Sequence, residues 1–265
     1  MSVPIALTIA GSDSGGGAGI QADLKTFAAL GVYGASVVTA LTAQNTKGIF
    51  AIHEVPTEFI AAQMDAVFSD LDVGAVKIGM LGSAAAIAAV GAGLRLHRAR
   101  NVVLDPVMTA SSGEKLLRGD AVDALRALIA QTRLVTPNLP EAATLAGARA
   151  ARDEEEIYLQ AQKLLALGAG AVLIKGGHGS GSESIDILVE GASRTRFAMP
   201  RVQTRNTHGT GCTLAAAIAA GLAKKLSLID AIGEAKAYLT AALEAADRLD
   251  IGSGPGPVHH FHKWW

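Results

Sequence analysis

Short runs of apolar residues alternate with amphipathic segments along almost the whole chain. Most of these runs are hydrophobic at successive positions, which is typical of parallel strands that helices cover on both faces. Glycine, proline or asparagine residues bound the runs. The strands predicted in this way occupy residues 5–10, 35–41, 75–78, 102–105, 134–136 and 171–174.

Between the predicted strands, apolar residues recur at the three- and four-residue spacing of a single helix face. Segments 20–30, 59–68 and 159–167 show this spacing, and Gly31 and Gly168 follow the first and the last of them. A glycine directly after such a segment is a common helix C-terminus. These segments are therefore predicted to be helices that pack on the sheet.

The last third of the chain departs from simple alternation. Residues 185–190 and 196–199 predict an antiparallel pair at one sheet edge, and helices at about 213–225 and 228–248 follow it. The whole pattern predicts an α/β fold: an open, mostly parallel sheet with helices on both faces, in three layers. No repeat or linker divides the chain, so we expect residues 1–265 to form a single domain.

The composition argues against several classes of protein. Half of the 265 residues are hydrophobic and the formal net charge is −1, so nucleic acid and anionic membranes are not expected partners. The apolar runs are interrupted well before the roughly 18 residues that a membrane span needs. The N-terminus lacks the basic region of a secretory signal. Because Cys212 is the only cysteine, no intrachain disulfide can form, and we expect a soluble cytoplasmic protein.

The most informative segment runs from Asn206 to Leu214. Gly209 and Gly211 precede an alanine-rich stretch, which predicts a helix that begins at a glycine loop. Such a loop and the unpaired N–H groups of a helix start together form an anion site suited to a phosphate. Cys212 lies at this helix start, where a lowered thiol pKa would make it a candidate base or nucleophile. The alternative is a glycine-rich turn with a buried cysteine.

A second glycine-rich segment, residues 11–19, follows the first predicted strand. It does not fit the dinucleotide-binding pattern G-x-G-x-x-G, because Ile20 and Ala22 stand where the third glycine would be. The chain also contains no Gly-Lys dipeptide, which excludes the common phosphate-binding loop. We therefore predict that the backbone of this segment approaches a ligand closely, although the segment is neither of the two common nucleotide-binding motifs. The alternative is a flexible turn.

Polar residues at the other strand ends are further candidates, because ligands of open α/β sheets bind at the carboxyl ends of the strands. Lys175 can direct its ammonium group towards phosphates, or reach solvent instead. Asp105 ends an aliphatic strand, and Asn138 and Glu141 offer oxygens suited to Mg²⁺, although Glu141 could merely complement a helix dipole. The Gln44 amide suits the edge of an aminopyrimidine, or it lies in a solvated loop.

The chain closes with three histidines and its two tryptophans, in residues 259–265. Nothing elsewhere completes a metal-ligand set at a familiar spacing. We therefore expect an aromatic tail that packs on the body of the protein or on a second subunit, which leaves a homodimer open.

The segments described above are parts of a longer set of motifs. The set comprises residues 7–13 (LTIAGSD), 16–26 (GGAGIQADLKT), 43–46 (AQNT), 77–81 (KIGML), 105–108 (DPVM), 136–142 (TPNLPEA), 175–178 (KGGH), 206–213 (NTHGTGCT) and 256–261 (GPVHHF). Together these motifs resemble the hydroxymethylpyrimidine/phosphomethylpyrimidine kinases of thiamin biosynthesis, in the ribokinase-like superfamily. The resemblance covers nearly the whole chain and implies a ribokinase-like fold.

The resemblance also implies an activity: ATP- and Mg²⁺-dependent phosphorylation of 4-amino-5-hydroxymethyl-2-methylpyrimidine, and then of its monophosphate. It implies that Cys212 replaces the aspartate base of most of the superfamily. For the acceptor, the resemblance implies that Gln44 binds the pyrimidine edge and that Asp23, Met80 and Val107 line the ring. For the nucleotide, it implies that Asp105, Asn138 and Glu141 bind ATP and Mg²⁺, with Glu141 holding Mg²⁺ through water, and that Lys175 binds the β/γ-phosphates. It also implies that Gly209 and Gly211 form the anion hole.

Two alternatives remain at this point. A pyridoxal kinase shares the fold, but the relatives with that activity carry a second cysteine in the loop after the Asp-Pro strand. That loop, residues 109–113, contains no cysteine here, which disfavours this alternative. A ligand-sensing module that lost catalysis is the other, and the intact Lys175, Glu141 and glycine loop argue against it.

Overall fold

The computed structural model describes residues 3–109, 113–114, 116–117, 119–177 and 181–265. Strands and helices alternate through these residues, as the hydrophobic pattern predicts. The strands are β1 (Ile5–Asp13), β2 (Tyr33–Asn45), β3 (Gly48–Glu54), β4 (Ala75–Ile78), β5 (Val102–Leu104), β6 (Leu134–Val135), β7 (Val172–Lys175), β8 (Glu183–Glu190) and β9 (Ser193–Pro200).

Five of the helices overlap the predicted segments, although α6 begins five residues earlier than predicted, and α3 and α4 were not predicted. Short 3₁₀ turns at Gly119–Ala121 and Ala246–Arg248 accompany them. The helices are α1 (Gly19–Ala29), α2 (Thr57–Phe68), α3 (Ala84–Leu96), α4 (Val122–Ile129), α5 (Leu139–Ala146), α6 (Glu154–Ala166), α7 (Thr210–Ala223) and α8 (Leu228–Glu244).

Within the described residues, the strands form one sheet in the order β3-β2-β1-β4-β5-β6-β7-β8-β9. The six neighbouring strands β2, β1, β4, β5, β6 and β7 are parallel. Strand β3 at one edge, and β8 and β9 at the other, pair antiparallel. The mostly parallel sheet and its late antiparallel pair are thus confirmed. Strand β3 was not predicted.

Strand β2 differs most from its prediction, because it continues past residue 41 to Asn45. Its inner part is buried beside β1, whereas from Leu41 onwards its side chains alternate between buried and exposed. A continuous apolar run marks only the buried part of this strand, so the predicted strand ends where β2 leaves the core. As a result, Gln44 lies within a strand and not after one.

Two apolar clusters cover the two faces of the sheet. One contains Leu7 and Ile9 of β1 and side chains from the layer formed by α2 to α6. The other contains Ala6, also of β1, and side chains of α1, α7 and α8. Residues 214–223 of α7 are all buried, and their small side chains let this helix lie close to both the sheet and α8. The three-layer α/β/α architecture is thereby confirmed.

The C-terminal tail folds back onto this body. His259 and His260 are buried, whereas Trp264 and Trp265 are exposed. Within the described part of the chain, no helix has the length and apolar character needed to cross a membrane.

Candidate active site

A cavity of about 730 Å³ lies at the carboxyl ends of the parallel strands, where an open α/β sheet is expected to bind its ligands. Among the residues described, every site residue predicted from the sequence lines this cavity except Asp23. Those that line it are Gln44, Met80, Asp105, Val107, Asn138, Glu141, Lys175, Gly209, Gly211 and Cys212.

The start of α7 is fixed by a close approach of two glycine segments. Gly209 precedes the helix with a φ of 81°, in the left-handed region that favours glycine. A Cβ atom at this position would lie 2.0 Å from the Gly17 carbonyl oxygen. Only glycine therefore fits here, and the helix start is held directly against the glycine-rich segment that follows β1.

Asp13 organises that glycine-rich segment. Its carboxylate accepts hydrogen bonds from the N–H groups of Gly15, Gly17 and Ala18 at 2.8, 3.0 and 2.9 Å. Nε2 of His208 lies 2.9 Å from Asp13 Oδ2 and, because a carboxylate only accepts, donates to it. Burial opposes ionisation of Asp13, but these hydrogen bonds outweigh it and lower the pKa. The sequence places both residues in motifs, yet gives no sign that they pair.

Lys175 and Asp105 form an ion pair facing the start of α7, with 2.6 Å between Nζ and Oδ1. Burial opposes the charge on Lys175, but Asp105 and Glu141 outweigh it and raise the lysine pKa, so the ammonium form persists. A Cβ atom on Gly211 would lie 3.4 Å from both Lys175 Nζ and Asp105 Oδ2. The glycine thus leaves free the space between the helix start and the cation.

Asn138 and Glu141 form a capping box at the start of α5. The Asn138 side chain accepts from the Glu141 N–H at 2.9 Å, and the Glu141 carboxylate accepts from the Asn138 N–H at 2.8 Å. Burial raises the pKa of Glu141 to about 7, an effect that Lys175 partly opposes and Asp105 reinforces. A cation beside this carboxylate would stabilise its charged form.

These oxygens fit Mg²⁺ held mainly through water. Mg²⁺ prefers oxygen ligands and keeps several of its water molecules, and Glu141 and Asn138 supply oxygens at the cavity wall. In the described residues, no group of three or more His, Cys, Asp or Glu side chains could hold a metal ion by itself. These donors thus suit a hydrated Mg²⁺ ion that also binds phosphate oxygens. They suit a fully protein-coordinated structural ion less well.

At the opposite end of the cavity, Gln44 presents its amide. Its Oε1 accepts from the Thr42 hydroxyl at 2.9 Å, and its Nε2 lies 3.4 Å from His208 Nε2. Met80 contributes to the wall beside it. A Cβ atom on Gly11 would lie 2.5 Å from Met80 Cε, so this glycine makes room for the methionine side chain.

Asp23 lies outside the cavity, contrary to the expected position at the ring wall. It is completely buried in α1, where its Oδ2 accepts from the Thr8 hydroxyl at 2.6 Å and from Lys77 Nζ at 2.8 Å. Its Oδ1 has no hydrogen-bond partner among the described residues. The physical reason is that this face of α1 packs against the sheet, so its carboxylate meets the lysine of β4.

Cys212 lines the cavity, but its predicted low pKa is wrong for this structure. Burial raises the pKa of the thiol to about 11, and the positive charge of Lys77 only partly opposes this, because Asp23 and Asp105 act in the same direction as burial. Loss of hydration thus outweighs the helix N-terminus. The group is a neutral thiol at pH 7.

The cavity continues beyond Lys175 to a region that the sequence did not reveal. There Lys236 of α8 pairs with Asp186 of β8 at 2.6 Å, and Asp186 also accepts from the Gly176 N–H at 3.0 Å. Val202, Leu239 and Leu243 add apolar side chains at this end, beside Arg201 and Thr240. The available signal was Lys236, the one basic residue of α8, which directly follows the buried Ala235.

Comparison with known proteins assigns the family. A sequence profile described as phosphomethylpyrimidine kinase matches residues 13–259. The chain belongs to the phosphomethylpyrimidine kinase family. The resemblance found in the sequence motifs is thereby confirmed. His178 of those motifs and residues 110–112 of the loop after the Asp-Pro strand lie outside the described residues.

Individual relatives agree with the family assignment. A hydroxymethylpyrimidine/phosphomethylpyrimidine kinase of Rhizobium meliloti is 62% identical over 98% of this chain and 98% of its own. The structure of a phosphomethylpyrimidine kinase from Clostridium difficile is 41% identical, covers 91% of this chain and 100% of its own, and has a TM-score of 0.81. An ADP complex of Bacillus subtilis pyridoxal kinase is 36% identical with 98% coverage of both chains and a TM-score of 0.90. These neighbours confirm the ribokinase-like fold.

Proposed function

We propose that the chain is an ATP-dependent kinase of thiamin biosynthesis. It phosphorylates the hydroxymethyl group of 4-amino-5-hydroxymethyl-2-methylpyrimidine and then converts the monophosphate to the diphosphate. One observation carries this proposal: a single cavity has an amide at one end, an apolar region at the other, and a lysine facing a glycine-rich helix start between them. That order matches an aminopyrimidine acceptor, a transferring phosphoryl group and a nucleotide base. The single cysteine supports a location in the reducing cytoplasm.

At the acceptor end, Gln44 binds the edge of the pyrimidine. The Thr42 hydroxyl lies 2.9 Å from the amide oxygen and 3.0 Å from the Ser12 carbonyl oxygen, and it holds the amide at the cavity wall before the substrate arrives. Met80 and Val107 line the cavity and bound the ring. This wall is apolar, as an uncharged aromatic substrate requires.

Between the two ends, phosphoryl transfer requires mainly positioning and stabilisation of negative charge. The Lys175 ammonium group stabilises charge on the β/γ-phosphates, while Asp105 holds that ammonium in place. The first N–H groups of α7, at Gly211 and Cys212, meet the charge on the transferred phosphoryl group. Such preorganised donors act strongly where water is excluded.

Glu141 and Asn138 are the residues that would hold Mg²⁺, Glu141 through a water molecule. A bound Mg²⁺ would supply neutralisation of the charge on the nucleotide phosphates. The raised pKa of Glu141 supports this assignment, since a carboxylate kept in a buried position at an energetic cost is stabilised when a cation arrives.

The nucleotide base lies at the apolar end of the cavity, against Val202, Leu239 and Leu243. The Lys236–Asp186 pair borders this region, and Asp186 holds the Gly176 N–H directly after Lys175. A base that settles here therefore also orders the segment that carries the phosphate-binding lysine.

The deciding experiment incubates the purified protein with ATP and Mg²⁺ and measures ADP release with three acceptors. These are the pyrimidine alcohol, its monophosphate and pyridoxal. We expect turnover with the first two and a much lower kcat/KM with pyridoxal. Lys175→Ala should lower kcat for both pyrimidine substrates while their binding survives. A preference for pyridoxal would instead support the alternative vitamin B6 kinase, and absence of turnover would support a sensing module.

A further inference from the structure

The C-terminal tail lies directly behind the loop that begins α7. The N–H of His208 donates to the Gly256 carbonyl at 3.1 Å, and the Gly256 N–H donates to the Asn206 side chain at 2.9 Å. His208 and Pro257 also form an isolated parallel β-bridge. The tail is thus joined by backbone hydrogen bonds to the segment that carries Gly209.

His260 extends this connection into α7 itself. Its Nε2 lies 3.0 Å from the Thr213 hydroxyl oxygen, and that hydroxyl lies 2.8 Å from the Gly209 carbonyl oxygen. A hydroxyl group has one proton, and a carbonyl oxygen can only accept. The Thr213 proton therefore goes to Gly209, and His260 must donate its Nε2 proton to Thr213.

The environment of His260 keeps it neutral and fixed in place. Burial lowers the pKa of its imidazole to about 3, with smaller contributions from Lys25, His259 and His262. The Tyr238 hydroxyl donates to the His260 carbonyl oxygen at 2.7 Å and anchors its backbone. A neutral imidazole with Nε2 protonated is therefore the form that meets Thr213.

The carbonyl at the end of this chain of hydrogen bonds defines the direction of α7. The Gly209 oxygen accepts both the Thr213 hydroxyl and the Thr213 N–H, the latter at 2.9 Å. It is the first helical acceptor, so its orientation sets the orientation of the first turn. Gly17 packs directly against Gly209. Gly211 and Cys212 belong to this turn and line the cavity.

We propose that His260 is a positioning residue for phosphoryl transfer. Through Thr213 it holds the Gly209 carbonyl, and thus keeps the first turn of α7 where its N–H groups meet the transferred phosphoryl group. This role rests on the proposed function, which gives the helix start its part in catalysis. It also gives the tail a purpose beyond covering the body of the protein.

The test replaces His260 in two ways. His260→Leu removes the donor but suits the buried site, whereas His260→Gln keeps an N–H donor. We expect His260→Leu to lower kcat for both phosphorylations by about 10- to 100-fold, the range seen when a residue that orients a functional group is lost. The KM for the pyrimidine should stay the same, since Gln44 is untouched. His260→Gln should recover most of kcat.

His262→Leu is the matched control. This histidine belongs to the same tail, lies 3.2 Å from the His259 carbonyl oxygen and packs beside the Tyr238 ring. If the tail acts only by covering the body, His260→Leu and His262→Leu should change kcat equally, and that result would overturn the proposal. We expect His262→Leu to leave kcat unchanged.

Thr213→Val and Thr213→Ser give a second, independent arm. Valine removes the hydroxyl at nearly constant volume, and serine keeps it. We expect kcat to fall in Thr213→Val, to recover in Thr213→Ser, and to fall no further when His260→Leu is added to Thr213→Val. If His260→Leu does not fold, the valine and serine pair decides, and equal kcat values would overturn the proposal.

Hydrogen exchange separates this proposal from the function on which it rests. The Thr213 amide should exchange faster in His260→Leu than in the wild type or in His262→Leu, whether or not the protein turns over. Absence of wild-type turnover would overturn the proposed function alone. Wild-type turnover combined with unchanged kcat and unchanged Thr213 exchange in His260→Leu would overturn the positioning role alone.

Discussion

Gln44 presents its amide to the cavity from a strand, with its oxygen already bonded to Thr42. We expect Gln44→Ala to raise the KM for the pyrimidine alcohol at least several-fold, because an unmatched buried polar group costs about 1–3 kcal/mol. The KM for ATP should hardly change, since the nucleotide lies at the far end of the cavity. Steady-state kinetics with each substrate varied in turn provide the measurement. Asn45→Ala, an exposed amide on the next residue, is the control.

Cys212 should matter differently for the two phosphorylations. The alcohol must lose its proton, whereas the monophosphate, with a second pKa near 6, is largely dianionic at pH 7. Because burial raises the thiol pKa to about 11, the reactive thiolate becomes more abundant throughout the range from pH 7 to 9. We expect the single-turnover rate of the alcohol step to rise over this range while the monophosphate step stays level. Cys212→Ala should slow mainly the alcohol step and remove its rise with pH.

Two results would contradict this role for Cys212. An equal loss in both steps for Cys212→Ala would mean that the thiol only shapes the cavity. A rise with pH that survives in the variant would assign the proton to another group.

The sequence could predict most of the residues that line the cavity, but it could not predict the environments of Cys212 and Asp23. Lys175 ends β7, whose end the hydrophobic run locates, whereas Gln44 lies beyond the apolar part of β2. The pKa of Cys212 depends on burial and on Lys77, Asp23 and Asp105, which lie more than 100 residues away along the chain. Asp23 is buried because Lys77 faces it across the fold. Local patterns carry no information on such distant pairings.

At the scale of the helix, Gly211 and Gly209 are required for different reasons. A methyl group on Gly211 meets only ordinary contacts, at 3.4 Å, but it projects between the helix start and Lys175. We expect Gly211→Ala to keep or slightly increase stability, as alanine favours helices by roughly 0.5–1 kcal/mol, and yet to lower kcat for both phosphorylations about 100-fold or more. Thermal unfolding and kcat together make the measurement.

Alanine substitutions at two other glycines are the controls for Gly211→Ala. Gly233→Ala in α8, with nothing closer than 3.9 Å to the added methyl group, should stabilise the protein and leave kcat unchanged. Gly209→Ala should destabilise it, because of its φ of 81° and its contact with Gly17. Full activity in Gly211→Ala would show that this helix start does not bind the transferred phosphoryl group.

The start of α5 couples stability to function through Glu141. Glu141→Gln keeps the capping box, since glutamine also suits this position, but removes the buried charge. The folded-state pKa of Glu141 is raised from 4.5 to about 7, so the unfolded chain loses this proton first as the pH rises. Without Mg²⁺ and nucleotide, the free energy of unfolding of the wild type should therefore fall relative to that of Glu141→Gln as the pH rises from 4.5 to about 7. The total fall should be about 1–3 kcal/mol.

Urea unfolding at pH 5, 6, 7 and 8 would measure that difference in the free energy of unfolding. The same variant should need more Mg²⁺ for activity and should have a lower kcat. A stability difference that does not change with pH would show that the carboxylate is not strained by burial. Full activity at ordinary Mg²⁺ would remove Glu141 from the metal site.

At the scale of the whole molecule, the parallel core could be predicted because its strands are continuously apolar, as residues 102–104 and 172–174 illustrate. The hairpin that β2 and β3 form at the edge of the sheet could not be predicted. Strand β3 is almost entirely exposed, so no core-facing pattern marks it, and its pairing with β2 is fixed by a turn and not by burial. The same exposure leaves an edge strand of the sheet open, and such an edge can pair with another chain.

We expect the homodimer that the sequence leaves open to use this edge as its contact. Phe50 and Ile52 of this edge strand are 70% and 45% exposed. Exposed apolar side chains on an open edge strand favour its pairing with another chain. We expect light scattering to give about twice the chain mass of 27.0 kDa for the wild type, and the chain mass itself for the double variant Phe50→Lys/Ile52→Lys.

Phe59→Lys, at an equally exposed aromatic residue on α2, is the control and should remain a dimer. Because the same hairpin carries Gln44, loss of the dimer should raise the KM for the pyrimidine while kcat at saturation changes little. A monomeric wild type would show that no homodimer forms, and a double variant that stays dimeric would place the contact elsewhere. Dissociation of the Phe59→Lys control would mean that α2 shares the interface with the hairpin.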